Sequence, residues 1–275
     1  MPDQSRVARR FTALEAAGWS ERADVYDRLT ARITLVLATP LLDAAGVGAG
    51  TRVLDLGCGP GVVCGLAAKR GAMPTGVDVA PGMLAEARLR HPELRFVEAD
   101  AVALPFENGS FDACVGGFVL NHLPEPEAAV DELARVLAPG GALALSLWDV
   151  PGGNRWLGII AEALAEVGVA TPPDIASGPD SYRFADPDEM HALLRGAGFT
   201  RTRVDSISTV ARCPGIDDLW EGVMGGSVRT STTVLRQPEE VRRRVRAAVD
   251  RLARPYRTPR GLELPARAVI GVGLG

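Results

Sequence analysis

Short apolar runs alternate with stretches of helical periodicity from about residue 51 onward. Runs such as 142–145 are apolar at every position, which is typical of strands covered on both faces of a parallel sheet. This alternation predicts an α/β fold with a doubly wound, seven-stranded, mostly parallel sheet, helices on both faces and an antiparallel final strand. The predicted strands lie near 51–56, 73–78, 94–98, 111–117, 141–147, 200–211 and 266–272, and the first connecting helices near 61–70, 81–90 and 125–137.

A helix is predicted before this core, from Ser20 to Ala38. Its apolar positions recur at helical spacing and are Tyr26, Leu29, Ile33 and Val36. This face either packs on the sheet or closes over a ligand, with Tyr26 or Trp19 in contact with that ligand.

Two stretches interrupt the regular pattern after Trp148. Proline and glycine break up the first one, and a helix follows from Asp186-Pro187 to Arg195. The second contains a helix after Pro238 whose arginine-rich face is either solvated or a nucleic-acid contact. The predicted division is a helical N-terminal cap at 1–50, a ligand-binding core at 51–149, a lid at 150–186, the rest of the core at 187–213 and 263–275, and a second helical cap at 214–262.

Composition narrows the class of protein. An apolar fraction of 47% in 275 residues suffices for one large α/β domain with caps, and the net charge of -4 argues against a nucleic-acid-coating protein. The four cysteines form no C-x-x-C pair, so neither a disulfide framework nor a metal site is predicted. Without an apolar leader or a membrane-length run, we expect a soluble, cytoplasmic protein. No nucleic-acid or membrane partner is expected, and a homodimer remains open.

The chain's most informative stretch is Val53 to Gly61, an apolar strand that runs into a glycine-rich turn. Its glycines are spaced G-x-G-x-G, and they supply the backbone freedom and missing Cβ that close approach of a ligand requires. A second strand ends on Asp78, where a carboxylate can accept hydrogen bonds from ribose hydroxyls. Asp55 precedes the turn, where it suits an ammonium group better than a pyrophosphate. The pattern therefore predicts an adenosine-binding site.

Five blocks of sequence extend this pattern in a fixed order. They are Val53 to Gly61, Gly76 to Leu84, Phe96 to Phe106, Phe111 to Leu123, and Leu133 to Gly141. Together they resemble the class I S-adenosylmethionine (SAM) methyltransferases, especially the small-molecule methyltransferases of ubiquinone and menaquinone biosynthesis. The resemblance implies a Rossmann-like sheet, SAM as cofactor and methyl transfer as activity. It is weakest in the predicted caps, which decide the acceptor.

The resemblance also implies roles for individual residues. Gly57 and Gly59 line the methionine part of SAM, Asp55 is oriented toward its ammonium, and Asp78 accepts from both ribose hydroxyls. Asp100 accepts from the adenine amino group. The remaining predicted cofactor-binding residues are Tyr26, Cys58, Val79, Met83, Ala101 and Phe118.

Methyl transfer from a sulfonium chiefly requires that the nucleophile and the methyl group be held in line. A base is needed only where the nucleophile must lose a proton. His122 follows the fourth strand and is the predicted base, with a packing role at a helix start as the alternative and Asp149 as second choice. The predicted acceptor-binding residues, chosen because aromatic pockets suit a largely apolar secondary metabolite or quinone-like molecule, are Trp148, Trp156 and Trp220.

Three alternatives stay open. A SAM-binding protein that does not methylate has the same sequence pattern, because fold and cofactor site do not fix the chemistry. A nicotinamide-dependent oxidoreductase is disfavoured by the glycine spacing and by Asp55. A nucleic-acid methyltransferase comes last, because Gly116-Gly117-Phe118-Val119 stands where enzymes acting on nucleobase amino groups carry an Asn/Asp-Pro-Pro-aromatic motif.

Overall fold

The computed structural model describes residues 4–26, 30–176 and 178–275. Its centre is one twisted sheet with the strand order β3-β2-β1-β4-β5-β8-β6, and a two-residue strand, β7, pairs only with β8. The first five strands run parallel, and β8 lies antiparallel between β5 and β6. The predicted seven-stranded α/β architecture with its antiparallel final strand is confirmed, and β7 is an addition. The strands are β1 Arg52–Leu56, β2 Met73–Asp78, β3 Arg95–Glu98, β4 Phe111–Gly117, β5 Leu137–Trp148, β6 Arg201–Cys213, β7 Arg257–Thr258 and β8 Gly261–Leu274.

Helices cover both faces of this sheet. The helices α5 and α8 pack in one apolar cluster with the inner strands, and α2 and α3 pack in another against alternate residues of the same strands. Val53 and Leu54, neighbours on β1, are both fully buried because they point to opposite faces, and each face is covered. The helices are α1 Gln4–Ser20, α2 Thr30–Ala44, α3 Val62–Lys69, α4 Pro81–Arg90, α5 Pro126–Val136, α6 Arg155–Val167, α7 Pro173–Ala176, α8 Pro187–Gly196, α9 Ile216–Gly226, α10 Val228–Leu235 and α11 Glu239–Ala253.

The N-terminal region differs from its prediction. No single helix runs from Ser20 to Ala38: α1 ends at Ser20, where the Arg22 guanidinium donates to the carbonyl of Gly18 (2.7 Å), and α2 begins at Thr30. Of the predicted apolar face, Ile33 is buried, Val36 is 54% exposed, and Leu29 lies outside the described residues. The face that packs on the sheet is carried instead by Ile33, Leu37 and Leu41, spaced four residues apart.

Two strand boundaries also differ. β5 begins at Leu137 rather than near 141, and its pairing with β4 shifts register between Phe111 and Ala113. β8 begins at Gly261, so β7 and the start of β8 lie inside the stretch predicted as a second cap. In both places glycine and proline break the apolar pattern that marks a strand, while backbone pairing continues. The division into caps and core remains a prediction.

The arginine-rich helix α11 presents its charges to acidic partners. Arg243 pairs with Glu239 (2.9 Å) and Glu240 (2.5 Å) on its own helix. Arg246 pairs with Asp217, and Arg251 with Glu166. These contacts favour the interpretation of a solvated, ion-paired face over a nucleic-acid surface. In the part of the chain that the structure describes, no helix is long and apolar enough to cross a membrane.

Candidate active site

A cavity of about 390 Å³ opens at the carboxyl ends of β1, β2 and β4. Ligands of open α/β sheets bind at this edge. The helix α1 and the 3-10 turn Leu120–His122 complete its wall. The cavity brings together many of the residues predicted from sequence, namely Tyr26, Gly57, Gly59, Asp78, Val79, Met83, Asp100, Ala101, Phe118, His122 and Trp148.

The glycine turn is shaped for close approach. Gly57 has φ +65°, and a Cβ there would lie 2.5 Å from Cγ2 of Val119. Gly59 has φ +51°, and among the described residues no atom lies within 4 Å of the Cβ it lacks. The first glycine is therefore required by packing, and the second leaves a clear space at the cavity wall.

Asp78 anchors this turn from the end of β2. Its Oδ2 accepts from the Gly59 N–H (2.8 Å), and its Oδ1 accepts from the Ala80 N–H (2.9 Å). Burial raises the pKa of Asp78, although these backbone donors oppose the rise. The carboxylate also faces the cavity, where it can accept from a ligand hydroxyl. Asp100, after β3, bonds only weakly to the Val102 N–H (3.3 Å) and stays exposed at the cavity.

Asp55 and Cys58 line a smaller recess of about 50 Å³ beside the main cavity. The Asp55 side chain is buried, and its Oδ2 lies 3.2 Å from the thiol of Cys64. Burial raises the pKa of Asp55 to about 7, the charge of Asp78 adds to the rise, and the thiol opposes it. Ser146 Oγ, on the same recess, is buried and has no hydrogen-bond partner within the described ranges. The recess thus holds polar atoms that are poorly satisfied by the protein itself.

Aromatic side chains form the opposite wall. Phe118 adopts φ +59°, a strained conformation for a residue with a Cβ, and its ring stacks on Trp148 at 4.1 Å between centroids. Trp156 packs edge-on behind Trp148 (5.3 Å), is fully buried and does not line the cavity. Trp220 lies under the Arg246 guanidinium at a separate groove of α9 and α11. The structure therefore places only Trp148 of the three predicted tryptophans at the cavity.

His122 contacts a buried carboxylate that the sequence analysis missed. Its Nδ1 lies 2.8 Å from Oε2 of Glu15 on α1, and Trp19 Nε1 donates to the same oxygen (2.9 Å). Arg229 of α10 approaches the other Glu15 oxygen at 3.7 Å. One signal was available: Ala8, Phe11 and Glu15 fall on one face of α1, and an acid on an apolar face must find partners when buried.

The charge of Glu15 is stabilised despite its burial. The side chain is 3% exposed, which alone would raise its pKa, but the charge and hydrogen bond of His122, with Arg229 and Trp19, hold the pKa below its usual value. Arg229 is itself fixed by three oxygens: it donates to the carbonyls of Pro179 (2.7 Å) and Asn121 (2.8 Å) and to Ser181 Oγ (2.8 Å).

Asp149 and the two other histidines of the chain lie elsewhere. Asp149, the second choice for a base, is buried, pairs with Arg267 and accepts from the Val150 N–H (2.7 Å), and it does not line the cavity. His191 contacts Thr202 Oγ1 (2.8 Å) on β6, and His91 packs against the positions of Gly61 and Gly65. Neither histidine lines the cavity.

This geometry coincides with a match to known proteins. Residues 54–145 match a family model described as a methyltransferase domain. Over 181 residues the chain is 34% identical to the demethylmenaquinone methyltransferase of Beutenbergia cavernae, covering 63% of this chain and 72% of that relative. The chain belongs to the class I SAM-dependent methyltransferases.

Two further comparisons agree. This methyltransferase is 34% identical over 168 residues to the demethylmenaquinone methyltransferase of Paenarthrobacter aurescens, covering 58% of this chain and 66% of the relative. It thus spans about two thirds of the length of such relatives. Among solved structures, the YcgJ protein of Bacillus subtilis has a TM-score of 0.57 at 19% identity, covering 88% of this chain and 98% of that chain. At this identity the likeness shows the shared fold.

Proposed function

We propose that this methyltransferase transfers the methyl group of SAM to a small, largely apolar acceptor, a quinone-like molecule or a secondary metabolite. The observation that carries the proposal is one continuous cavity. At one end it has the strand-end carboxylates Asp78 and Asp100, and at the other the stacked pair Phe118 and Trp148 with His122 beside them. Such a cavity can hold an adenosine and an aromatic acceptor side by side.

The residues present fit SAM. Asp78 presents a carboxylate to the cavity for the ribose hydroxyls, and Gly59 leaves clear space. For the amino-acid end, the recess offers the acid of Asp55 and the hydroxyl of Ser146, which has no hydrogen-bond partner among the described residues. Met83 and Val79 supply apolar surface for the adenine. When bound, SAM supplies an electrophilic methyl group on a sulfonium, and no pyrophosphate has to lie near Asp55.

The acceptor class rests on the aromatic wall and on the relatives. Both relatives described above are named for methylation of demethylmenaquinone. A planar ring can stack against Phe118 and Trp148, and such pairs contribute about 0.5–1.5 kcal/mol beyond burial. Holding acceptor and methyl in line can supply roughly 7–11 kcal/mol in favourable cases. His122 would take the proton of a hydroxyl nucleophile.

Calorimetric titration with SAM, S-adenosylhomocysteine and NAD tests the cofactor, and a methyl-transfer screen with reduced quinones and hydroxylated aromatics tests the acceptor. We expect both sulfur ligands to bind, NAD not to bind, and at least one hydroxylated aromatic to be methylated. SAM binding with no transfer across the screen would favour the non-methylating alternative. Binding of NAD alone would overturn the proposal.

Cofactor affinity is expected to depend on pH through Asp55. With a pKa of about 7, Asp55 is mainly neutral below that pH, whereas pairing with an ammonium requires the carboxylate. Binding must then release a proton, so affinity for S-adenosylhomocysteine should rise up to about tenfold per unit between about pH 5.5 and 7. Asp55→Asn should flatten the profile, measured by calorimetry at several pH values. Asp112→Asn, at an exposed acid paired with Arg52, should keep the dependence. A sloping profile in Asp55→Asn would assign it to another group.

Acceptor binding is expected to depend on Trp148 and not on Trp220. Trp148→Phe keeps a ring but reduces the surface that stacks with Phe118, so the acceptor KM should rise about two- to tenfold. Trp220→Phe changes an equivalent residue at the separate groove and should leave KM unchanged. Initial rates at saturating SAM measure both. A raised acceptor KM in Trp220→Phe would instead support the prediction from sequence that Trp220 binds the acceptor.

A further inference from the structure

We infer that Glu15, on the N-terminal helix α1, is a positioning residue that fixes the orientation and the tautomer of His122. The inference rests on the proposed function, in which His122 receives the acceptor's proton. Glu15 lies on a helix near the N-terminus, outside the five sequence blocks on which the resemblance rests. Glu15 and His122 are 107 residues apart in sequence.

The carboxylate is held firmly enough to orient an imidazole. Its Oε2 takes two donors, His122 and Trp19, and its Oε1 faces Arg229. The Trp19 indole also packs edge-on against the His122 ring, with 5.3 Å between centroids. Two residues of α1 therefore contact the histidine directly, and Arg229 of α10 contacts Glu15, so rotation of the His122 ring is restricted.

The hydrogen bonds define the tautomer. An ionised carboxylate only accepts, so the His122 nitrogen 2.8 Å away, Nδ1, must carry a proton. Nε2 lies 3.0 Å from Nδ2 of Asn121, which only donates, so Nε2 presents its lone pair. Both neighbours select the same neutral form, in which Nε2 accepts from Asn121. The Asn121 amide must therefore turn away before Nε2 can take the proton of the acceptor.

Asn121 can serve the protonated form as well. Its Oδ1 is buried and lacks a hydrogen-bond partner among the residues the structure describes. Turning the amide over would present Oδ1 to an Nε2–H, while Glu15 continues to accept from Nδ1–H. The site can therefore hold His122 before and after proton uptake, and Glu15 balances the positive charge that forms.

The charged surroundings of His122 come from several elements. Glu15 faces it from α1, Arg229 approaches the same carboxylate from α10, and Asp78 acts on it from the end of β2. Asp180 and Tyr182 act on Arg229 from the segment before α8. Of these charged groups, Glu15 is the one in direct contact with His122.

Two substitutions separate the hydrogen bond from the charge. Glu15→Gln keeps an oxygen that can accept from Nδ1–H but removes the charge, and Glu15→Leu removes both. Glu21→Gln, at an exposed acid just after α1, is the matched control. Long-range ¹H–¹⁵N NMR of the whole 275-residue chain reports the tautomer without any substrate, and His122→Asn assigns the signal among the three histidines.

We expect the Nδ1–H tautomer for His122 in the wild type and in Glu15→Gln, and a smaller share of it in Glu15→Leu, where only Asn121 still favours it. In Glu15→Gln, kcat should fall roughly tenfold to a hundredfold, part of what a general base contributes. The SAM Kd of Glu15→Gln and the kcat of the control Glu21→Gln should remain unchanged.

Failure of the inference is distinguishable from failure of the proposed function. A wild-type Nε2–H tautomer, or Glu15 variants with wild-type kcat, would overturn the positioning role while methyl transfer stands. If no acceptor is methylated by the wild type, the proposed function fails; the NMR result then still decides whether Glu15 sets the tautomer. Circular dichroism and SAM binding check the fold of Glu15→Leu. If Glu15→Leu is unfolded, Glu15→Gln still tests the positioning role.

Discussion

Replacing Asp78 with alanine is expected to weaken SAM binding by about a hundredfold or more. The proposed role of Asp78 is to accept both ribose hydroxyls, and hydrogen bonds to a charged group contribute about 1.5–3 kcal/mol each. Loss of two such bonds exceeds the roughly 2.7 kcal/mol that corresponds to a hundredfold change in Kd. Calorimetric titration of SAM into the wild type and the variant measures the effect directly.

The design must separate ribose recognition from the shape of the turn, because Asp78 also accepts from the N–H groups of Gly59 and Ala80. Asp78→Asn keeps an oxygen acceptor and should lose less affinity than alanine. Asp112→Ala removes an exposed acid that pairs with Arg52 on the same sheet and should bind SAM as the wild type does. A Kd within about twofold of wild type in Asp78→Ala would contradict the assignment.

The parallel core was predictable because its information is local. The strands β1 and β4 are short, largely apolar runs bounded by turn residues, and burial on both faces removes any need for alternation. The helix α1 was missed for the converse reason. Its buried face is built from Ala8, Phe11 and the polar Glu15, which resembles a solvated helix until its partners are known. Predictions failed most where distant segments decide burial.

The same distinction applies to the candidate site. Acids that end parallel strands share one edge of the sheet by geometry alone, so Asp78 and Asp100 could be placed together from sequence. Residue type did not show which tryptophan faces the cavity. All three predicted tryptophans look alike in the sequence. In the structure, Trp148 lines the cavity, Trp156 is buried behind it, and Trp220 lies beneath Arg246.

Replacing His122 with asparagine is expected to lower kcat by about 10²- to 10⁴-fold for an acceptor that reacts through a hydroxyl, the usual contribution of a general base. Asparagine offers an amide N–H near the position of Nδ1, so the contact with Glu15 can be kept while the basic Nε2 is removed. The SAM Kd should stay close to wild type, because the residues proposed to hold SAM, such as Asp78, are unchanged. Single-turnover measurements with saturating SAM would report the chemical step itself.

The outcome decides whether His122 acts as a base or as a packing residue. His191→Asn removes a histidine that contacts Thr202 on β6, outside the cavity, and should leave kcat unchanged. If His122→Asn also transfers methyl groups at the wild-type rate, His122 is a packing residue, and in-line positioning by the cavity carries the reaction alone. If kcat falls and raising the pH restores it by ionising the acceptor in solution, proton removal is the step that His122 performs. Loss of activity at every pH would instead point to a role in holding the acceptor beside Trp148.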